Sequence, residues 1–296
     1  MNQHPSWLDQ RQYPFQSHYL TVAGHQLHYI DEGPDDASAA TLLFVHGTPS
    51  WSFDFRKVIT KLSRDFRCVA LDHIGFGLSD KPASYNYSTA NHAATLGQLV
   101  EHLKLKNITP VMHDFGGPIA MAWALQNPTL IRRLVVMNSW LWSSADDPEY
   151  QRFSKILRSP LLPFLYRRLN FSPRVLLPKS FGDRSKLSRQ IHRHFTAPFG
   201  NAGEREGALA FARSLLNDQE WFQILWERRG VLAQLPTLLI WGMKDTFARP
   251  EYLQKFAAGF PNNQIIRLES AGHFPQEEEP EQVAAAIKGW MNYFSA

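Results

Sequence analysis

Three side chains in the sequence, Asp114, Asp245 and His273, have the types and the chain order needed for hydrolysis through a covalent intermediate. A carboxylate can attack an electrophilic carbon to form an ester, and a histidine oriented by a second carboxylate can then activate water to hydrolyse that ester. Each of the three follows an apolar run, in the order "NITPVMH", "LLIWGMK" and "NQIIRLESAG". The pattern predicts a reactive site at the ends of buried strands.

Taken singly, each residue also has an ordinary structural role. Asp114 opens "DFGG" at the start of a helix, where aspartate is a common N-cap. Asp245 is placed to cap a helix near Pro250, and His273 suits a loop position. Their order, each after its own strand, favours catalysis over coincidence. The positive end of the helix dipole also favours the ionised, nucleophilic form of Asp114.

The surrounding elements alternate between strands and helices. Short apolar runs that end in turn residues are typical of strands buried on both faces, as in "TLLFVHG", "CVALDH", "TPVMHD", "RLVVMN" and "TLLIWGM". Helical spacing follows a predicted N-cap at Ser88 and recurs in 116–126 and 280–293. This alternation predicts an α/β fold with a mostly parallel sheet covered on both faces. Ligands bind beyond the carboxyl ends of the strands in such sheets.

A central segment interrupts the alternation. Residues 143–229 hold helical stretches and prolines without a clear strand, so we expect a helical cap inserted into a core formed by 1–142 and 230–296. The range 143–230 carries 15 Lys and Arg against 9 Asp and Glu, and therefore accounts for the formal net charge of +4. These basic residues occur as singles and pairs without a nucleic-acid motif. They predict a solvated helical face, with neither a nucleic-acid nor a membrane partner.

Length and composition limit the class of protein. The 296 residues are 44% hydrophobic, which suits a large folded core and excludes a wholly disordered or fibrous chain. The N-terminus lacks a basic segment followed by an apolar run, and no stretch reaches the roughly 18 apolar residues of a membrane span. The single cysteine, Cys68, lies in an apolar run and has no disulfide partner. We therefore expect a soluble, cytoplasmic protein.

The order of carboxylate, acid and histidine, with the segments around them, resembles the haloalkane dehalogenases. These enzymes belong to the aspartate-nucleophile branch of the α/β-hydrolase fold, which also contains epoxide hydrolases. The similar segments span the core nearly end to end: "FVHGTPSWSFDFR", "LDHIGFGLSDKP", "LKNITPVMHDFGGPIAMAWALQNP", "WGMKDTFARP" and "SAGHFPQEE". The resemblance implies an eight-stranded, mostly parallel sheet with helices on both faces and an inserted helical cap. It implies neither a cofactor nor a metal ion.

The resemblance also implies a role for each residue. Asp114 is the nucleophile, His273 the base and Asp245 the acid that orients the base. The backbone N–H groups of Thr48 and Phe115 form the oxyanion hole, which does not depend on their side chains. The expected substrate is a small apolar haloalkane that reacts with water, and a halide ion is one product.

Two positions depart from the family where the halide is bound. Haloalkane dehalogenases usually carry tryptophan directly after the nucleophile, and an asparagine in the "HG-x-P" turn or a donor from the cap assists it; here Phe115 and Thr48 stand at those positions. A phenyl ring offers only a weakly positive edge to an anion. Trp140 and Trp142 are candidate replacements, with packing under the cap as the alternative role. The predicted pocket for substrate or halide comprises Trp51, Trp140, Trp142 and Phe164.

These departures leave neighbouring functions open. Epoxide hydrolysis uses the same nucleophile, acid and base but needs cap tyrosines as donors, and Tyr150 and Tyr166 lie in the cap segment. A β-lactone decarboxylase and a ligand-binding receptor on the same fold are further alternatives. Fluoroacetate dehalogenation is disfavoured because no arginine follows Asp114, and a serine esterase is disfavoured because the nucleophilic serine is absent.

Overall fold

One eight-stranded sheet organises the described part of the chain, residues 5–34 and 40–294 of a computed structural model. The ends of the predicted core, 1–4 and 295–296, lie outside the described residues. In chain order the strands are β1 (His18–Val22), β2 (His25–Glu32), β3 (Thr41–Val45), β4 (Arg67–Leu71), β5 (Ile108–Asp114), β6 (Leu134–Ser139), β7 (Thr237–Gly242) and β8 (Asn263–Leu268).

The strands follow the spatial order β1-β2-β4-β3-β5-β6-β7-β8. β2 pairs antiparallel with β1 and β4, and all other neighbours pair in parallel. Every residue of β3, β5, β6 and β7 is buried, as expected for strands covered on both faces. The predicted fold class, a mostly parallel eight-stranded α/β sheet, is confirmed.

Twelve α-helices accompany the sheet in the described ranges, and none of them is long and apolar enough to cross a membrane. In chain order they are α1 (Arg56–Leu62), α2 (Thr89–His102), α3 (Gly116–Ala124), α4 (Pro148–Leu157), α5 (Leu162–Leu169), α6 (Leu177–Ser180), α7 (Arg189–Thr196), α8 (Glu206–Asn217), α9 (Gln219–Arg228), α10 (Pro250–Gly259), α11 (Pro275–Glu278) and α12 (Pro280–Tyr293). Ser88 caps α2, because its side chain accepts a hydrogen bond from the Asn91 N–H at 3.3 Å.

Alternation along the central strands divides the core between the two faces of the sheet. Leu43 and Val45 of β3 pack with residues of α2, α3 and α10, whereas Leu42 and Phe44 pack with residues of α1 and α12. Successive side chains of a strand point to opposite faces, so one apolar run supplies both hydrophobic layers. The single cysteine, Cys68, is buried in β4.

The segment 143–229 contains helices and turns but no strand, and all of its residues are described. Its six α-helices, α4–α9, lie between β6 and β7 in the chain. Residues from this segment and from the loops after β3, β5, β6, β7 and β8 line one cavity. We therefore propose that 143–229 acts as a cap domain over a core formed by 1–142 and 230–296.

Candidate active site

Asp114 ends β5 at a sharp turn into α3. Its backbone φ of 53° lies in the left-handed region, which residues other than glycine rarely adopt. The turn also requires close backbone packing, because a Cβ on Gly116 would overlap the carbonyl oxygen of Val45 and one on Gly117 would overlap Ser139 Oγ. Ser139 Oγ donates to the Asp114 carbonyl oxygen at 2.7 Å. The glycines of "DFGG" thus permit a strained turn that presents Asp114 at the sheet edge.

The structure brings the three predicted catalytic residues together. Nε2 of His273 lies 3.3 Å from Oδ2 of Asp114, and Nδ1 of His273 lies 2.7 Å from Oδ2 of Asp245. All three residues are buried. Because Asp245 engages one ring nitrogen, the other faces Asp114 and is free to exchange a proton beside it. This is the geometry of a nucleophile and an oriented general base.

Asn138, which the sequence analysis did not single out, holds Asp245. Its Nδ2 donates to Asp245 Oδ2 at 2.8 Å, and its Oδ1 accepts from the Gly242 N–H at 2.8 Å. The Phe247 N–H donates to the second carboxylate oxygen, Oδ1 of Asp245, at 2.7 Å. Asn138 ends the apolar run "RLVVMN" at a φ of 35°. An asparagine at the end of a buried strand is the sequence feature that could have identified it, because asparagine adopts a positive φ more readily than most residues.

The backbone of His273 is held from two sides. Its N–H donates to the carbonyl oxygen of Ser180, in the segment between β6 and β7, at 2.8 Å. Its carbonyl oxygen accepts from Nε2 of His113, the residue before the nucleophile, at 2.6 Å. The loop that carries the base is therefore tied both to the nucleophile strand and to the proposed cap.

Opposite charges within the site stabilise the ionised forms of Asp114 and His273. Burial opposes ionisation of Asp114, but the hydrogen bond and charge of His273 outweigh it and lower the pKa of this carboxyl. Burial also opposes protonation of His273, but the charge of Asp245 and the contact with Asp114 raise the pKa of the imidazole. Asp114 is thus a carboxylate and His273 an imidazolium in the resting site at neutral pH.

Two backbone N–H groups face the carboxylate of Asp114. The N–H of Thr48 donates to Oδ1 at 2.8 Å. The N–H of Phe115 contributes to lowering the pKa of this carboxyl. These are the donors that the resemblance assigned to the oxyanion hole, and that of Thr48 is aimed at the oxygen that would become an ester carbonyl.

A cavity of about 270 Å³ connects this site with the helices of the cap segment. Asp114 and His273 line it together with Thr48 and an ion pair between Asp147 and Arg249. Most of the remaining wall is apolar and includes Phe115, Trp140, Phe153, Leu157, Tyr166, Leu176, Leu177, Leu215, Phe247 and Phe274. The cavity suits a small apolar molecule whose reactive carbon reaches Asp114.

Trp140 is the one residue of the four-residue predicted pocket that lines this cavity. Its ring lies edge-to-face with Phe115, with centroids 4.9 Å apart. Trp142 is not among the residues that line this cavity, because the chain turns after β6 and places its ring centroid 5.1 Å from that of Phe256 in α10, with Lys255 Nζ 4.5 Å from the Trp142 centroid. Trp142 therefore packs behind the cavity wall.

Trp51 and Phe164, the other two residues of the predicted pocket, are also not among the residues that line this cavity. Trp51 is buried in the apolar layer below the site, where its Nε1 donates to the His194 carbonyl oxygen at 2.8 Å. Phe164 is 55% exposed on α5. On this helix Leu162 and Tyr166, four positions apart, point inward, so a residue midway between them points outward.

The two tyrosines considered as epoxide donors line the cavity. The Tyr150 hydroxyl donates to the carbonyl oxygen of Leu215. Tyr166 is buried, and burial raises its pKa to about 12 against the opposing effect of the Ser172 side chain. Because the Tyr150 O–H is already engaged, this arrangement leaves an epoxide oxygen one of the two expected donors and disfavours the epoxide hydrolase alternative.

Comparison with known proteins agrees with the fold. Residues 40–280 match the family model of the alpha/beta hydrolase fold. The chain belongs to the α/β-hydrolase family. Haloalkane dehalogenase 2 of Mycobacterium tuberculosis is 36% identical over 281 residues, which cover 94% of this chain and 96% of the relative. The predicted resemblance to haloalkane dehalogenases within the α/β-hydrolase family is confirmed.

Other members of the family are similar over nearly the same length. The cis-3-alkyl-4-alkyloxetan-2-one decarboxylase of Shewanella oneidensis is 33% identical and matches 94% of this chain and 89% of its own. The crystal structure of haloalkane dehalogenase DbeA from Bradyrhizobium elkani superposes with a TM-score of 0.85 at 26% identity, covering 95% of this chain and 99% of the other. The α/β-hydrolase architecture is therefore shared along almost the whole chain.

Proposed function

We propose that this α/β-hydrolase is a haloalkane dehalogenase that acts through an alkyl ester of Asp114. The observation that carries the proposal is the position of the Asp114 carboxylate, which faces an apolar cavity on one side and the His273–Asp245 pair on the other. The similarity to haloalkane dehalogenase 2 supports the same activity. We also propose a cytoplasmic location, which rests only on the sequence features described above.

In the first step Asp114 Oδ2 attacks the carbon that bears the halogen. The new C–O bond forms as the carbon–halogen bond breaks, and the bonding electrons leave with the halide. Oδ1 stays on the N–H of Thr48, 2.8 Å away, so it becomes the carbonyl oxygen of the ester. Holding the carboxylate in this orientation reduces the entropic cost of the attack.

In the second step water hydrolyses the ester. Ester formation neutralises Asp114 and so removes one of the charges that keep His273 protonated. His273 then releases its proton to solvent. The neutral imidazole accepts a proton from water as the hydroxide attacks the ester carbonyl, and Asp245 stabilises the imidazolium that re-forms. The N–H groups of Thr48 and Phe115 receive the oxyanion. As it collapses, the bond to the alkyl oxygen breaks, the imidazolium of His273 protonates that oxygen, and the alcohol leaves.

We further propose that Trp140 and the hydroxyl of Thr48 bind the departing halide in place of the usual donors. The Trp140 indole N–H has no acceptor among the described residues, and the ring lines the cavity beside Phe115. The Thr48 hydroxyl is buried and has no hydrogen-bond partner among the residues that the structure describes. Both groups donate hydrogen bonds and flank the nucleophile, as leaving-group stabilisation requires.

Decarboxylation of a four-membered lactone is the second candidate function. The match to the oxetan-2-one decarboxylase of Shewanella oneidensis, at 33% identity, favours it. So does Phe115, because loss of carbon dioxide does not require the halide donor that is missing at this position. The same cavity and nucleophile would accept either substrate, so the reaction must be tested directly.

Trapping the ester separates the alternatives. In the variant His273→Phe we expect attack by Asp114 without hydrolysis, so intact-protein mass spectrometry after incubation with bromohexane should show a gain of one hexyl group with stoichiometric bromide release. The double variant Asp114→Asn, His273→Phe is the matched control and should show no adduct. A mass gain equal to a whole epoxide would instead identify an epoxide hydrolase. Carbon dioxide release from a β-lactone by the unaltered chain, without a bromoalkane adduct in the variant, would identify the decarboxylase.

A further inference from the structure

The helices α4 and α5 and their connection expose large apolar side chains. Ile156, Leu161, Phe164 and Leu169 are 53%, 62%, 55% and 48% exposed. They account for four of the nine exposed large hydrophobic side chains in the described ranges, although they lie within 156–169. Scattered exposed apolar residues are ordinary, but a concentration of them marks an interaction site.

Unpaired basic residues alternate with these apolar ones. The range 149–170 holds five Arg and Lys against one Glu. Arg152 is paired with Glu149, and Arg167 with Glu206. The remaining three, Lys155, Arg158 and Arg168, are exposed and form no ion pair with a described residue. We call Lys155, Ile156, Arg158, Leu161, Phe164 and Arg168 the α4–α5 surface.

The inner face of the same helices already provides their packing. Phe153 and Leu157 of α4 and Tyr166 of α5 line the cavity. Leu157 and Tyr166 are buried, so the helices have an apolar side that faces the protein independently of the outer one. The exposed residues are therefore not needed to anchor α4 and α5. A partner outside this chain would remove their apolar side chains from water.

We propose that the α4–α5 surface docks on an anionic lipid bilayer. Amphipathic helices that present aromatic and aliphatic residues among Lys and Arg bind membrane interfaces, because the apolar groups enter the headgroup region and the cations pair with anionic lipids. A second copy of this chain suits the surface less well. A two-fold interface would pair this surface with itself, so the three cations would face a surface that carries cations and no carboxylate.

This inference differs from the sequence expectation of no membrane partner. The basic excess by itself indicated a solvated helical face, because the sequence did not show which apolar residues of this segment are exposed. The docking surface is independent of the reaction, since vesicle binding can be measured without turnover. Docking would place the helices that line the cavity next to the lipid bilayer, in which apolar molecules concentrate.

Vesicle co-sedimentation of the full chain tests the proposal. We expect strong binding to phosphatidylcholine vesicles that contain about 30% phosphatidylserine at about 0.1 M salt, weak binding to phosphatidylcholine alone, and release at about 1 M salt. The triple variant Lys155→Glu, Arg158→Glu, Arg168→Glu should bind the anionic vesicles about a hundredfold more weakly. Its thermal midpoint and its activity on a dissolved substrate should be unchanged, because the substituted residues are exposed and do not line the cavity.

A charge-matched control is available on the opposite edge of the sheet. Lys104 and Lys106 precede β5 and Arg132 precedes β6, so these exposed residues lie at the amino ends of the strands, away from the cavity. The variant Lys104→Glu, Lys106→Glu, Arg132→Glu has the same net charge as the test variant and should keep its vesicle binding. Equal loss in both variants would overturn the proposal, because binding would then follow net charge rather than this surface.

The apolar residues supply a second test. The double variant Leu161→Ser, Phe164→Ser should weaken the vesicle binding that remains at moderate salt, without a loss of thermal stability. Absence of binding of the unaltered chain to anionic vesicles would refute the docking surface. So would light scattering that shows a dimer dissociated by this double substitution, because a second copy would then cover the surface.

Discussion

Nε2 of His273 lies 3.3 Å from Oδ2 of Asp114, while the other oxygen of the same carboxylate, Oδ1, accepts a hydrogen bond from the Thr48 backbone. The two oxygens therefore have different environments before any substrate binds. Oδ2 has no backbone donor and is the oxygen that attacks, whereas Oδ1 is already in the position where an oxyanion would be stabilised. Asp245 together with the Asp114 contact makes His273 an imidazolium at rest, so it becomes a base only after Asp114 has been esterified.

Replacing Asp114 with Asn should abolish turnover while leaving ligand binding intact. A neutral amide oxygen is a much weaker nucleophile than a carboxylate, so we expect kcat to fall by about 10⁴-fold or more. Halide release measures the reaction, and calorimetric titration with a bromoalkane measures binding. Unchanged turnover would exclude Asp114 as the nucleophile. A ligand that binds the unaltered chain and is never converted would favour the receptor alternative.

The two chemical steps should respond differently to pH. The contact with His273 lowers the pKa of Asp114 below its ordinary value of 3.8, so ester formation should persist as the pH falls towards that value. Hydrolysis requires neutral His273, and in the ester the pKa of this imidazole should fall because the Asp114 charge is gone, although Asp245 continues to raise it. Rapid-quench single turnovers should therefore show increasing accumulation of the ester as the pH falls. Parallel loss of both steps with falling pH would contradict this assignment.

Removing the side chain of Asn138 should impair the base through Asp245. Loss of the 2.8 Å bond to Asp245 Oδ2 is expected to lower kcat about 10- to 100-fold, the range for a hydrogen bond to a charged group. The variant Asn138→Gly tests this with little backbone strain, because glycine accepts the observed φ of 35°. Asn138→Ala should lose the same activity and also some thermal stability.

For Asn138 the decisive readout is the pH profile of hydrolysis in a single turnover. A positioning role predicts that the pKa governing hydrolysis moves when Asp245 loses its donor. A uniform fall in rate with an unchanged profile would indicate only a structural role.

Halide binding should depend on Trp140 and on the Thr48 hydroxyl. Trp140→Phe removes the indole N–H, and Thr48→Val removes the hydroxyl while keeping the backbone N–H that bonds Asp114. Each variant should bind bromide about 10-fold more weakly, corresponding to roughly 1.4 kcal/mol. Bromide inhibition constants measure the effect. Trp142→Phe is the matched control, because Trp142 packs outside the cavity. An equal effect in the control would refute the assignment.

A buried carboxyl beside the site should make the stability of the protein depend on pH. Burial raises the pKa of Asp54 to about 8, despite hydrogen bonds from Ser50 and Gln276. The folded state therefore retains a proton that the unfolded chain loses above pH 3.8, and the free energy of unfolding should fall as the pH rises from about 4 to 8.

The variant Asp54→Asn isolates this effect from the other titrating groups. Its stability relative to the unaltered chain should increase with pH, by at most about 1.4 kcal/mol per pH unit. Urea unfolding at pH 5 and pH 8 measures the difference. A difference that does not change with pH would show that Asp54 has an ordinary pKa in the folded protein.

The elements of the fold and the grouping of the catalytic residues were predictable from local pattern. Fully apolar runs such as "TLLIWGM" have few alternatives to a strand buried on both faces, and the observed β7 is Thr237–Gly242. Parallel strands bring their carboxyl ends to one edge of the sheet, so the residues at the ends of β5, β7 and β8 are expected to lie close together there. Asp114, Asp245 and His273 are within contact distance for this reason.

The cavity wall was decided by contacts between segments far apart in the chain. Trp140 and Trp142 are equivalent aromatic residues in the sequence, but only the packing of α10 turns Trp142 away from the site. The helical repeat of α5 points Phe164 outward, and the Tyr150 hydroxyl donates its hydrogen bond to the carbonyl oxygen of Leu215. Composition and spacing specify which residues are apolar or polar, whereas the direction of each side chain follows from packing and hydrogen bonding that exist only in the folded chain.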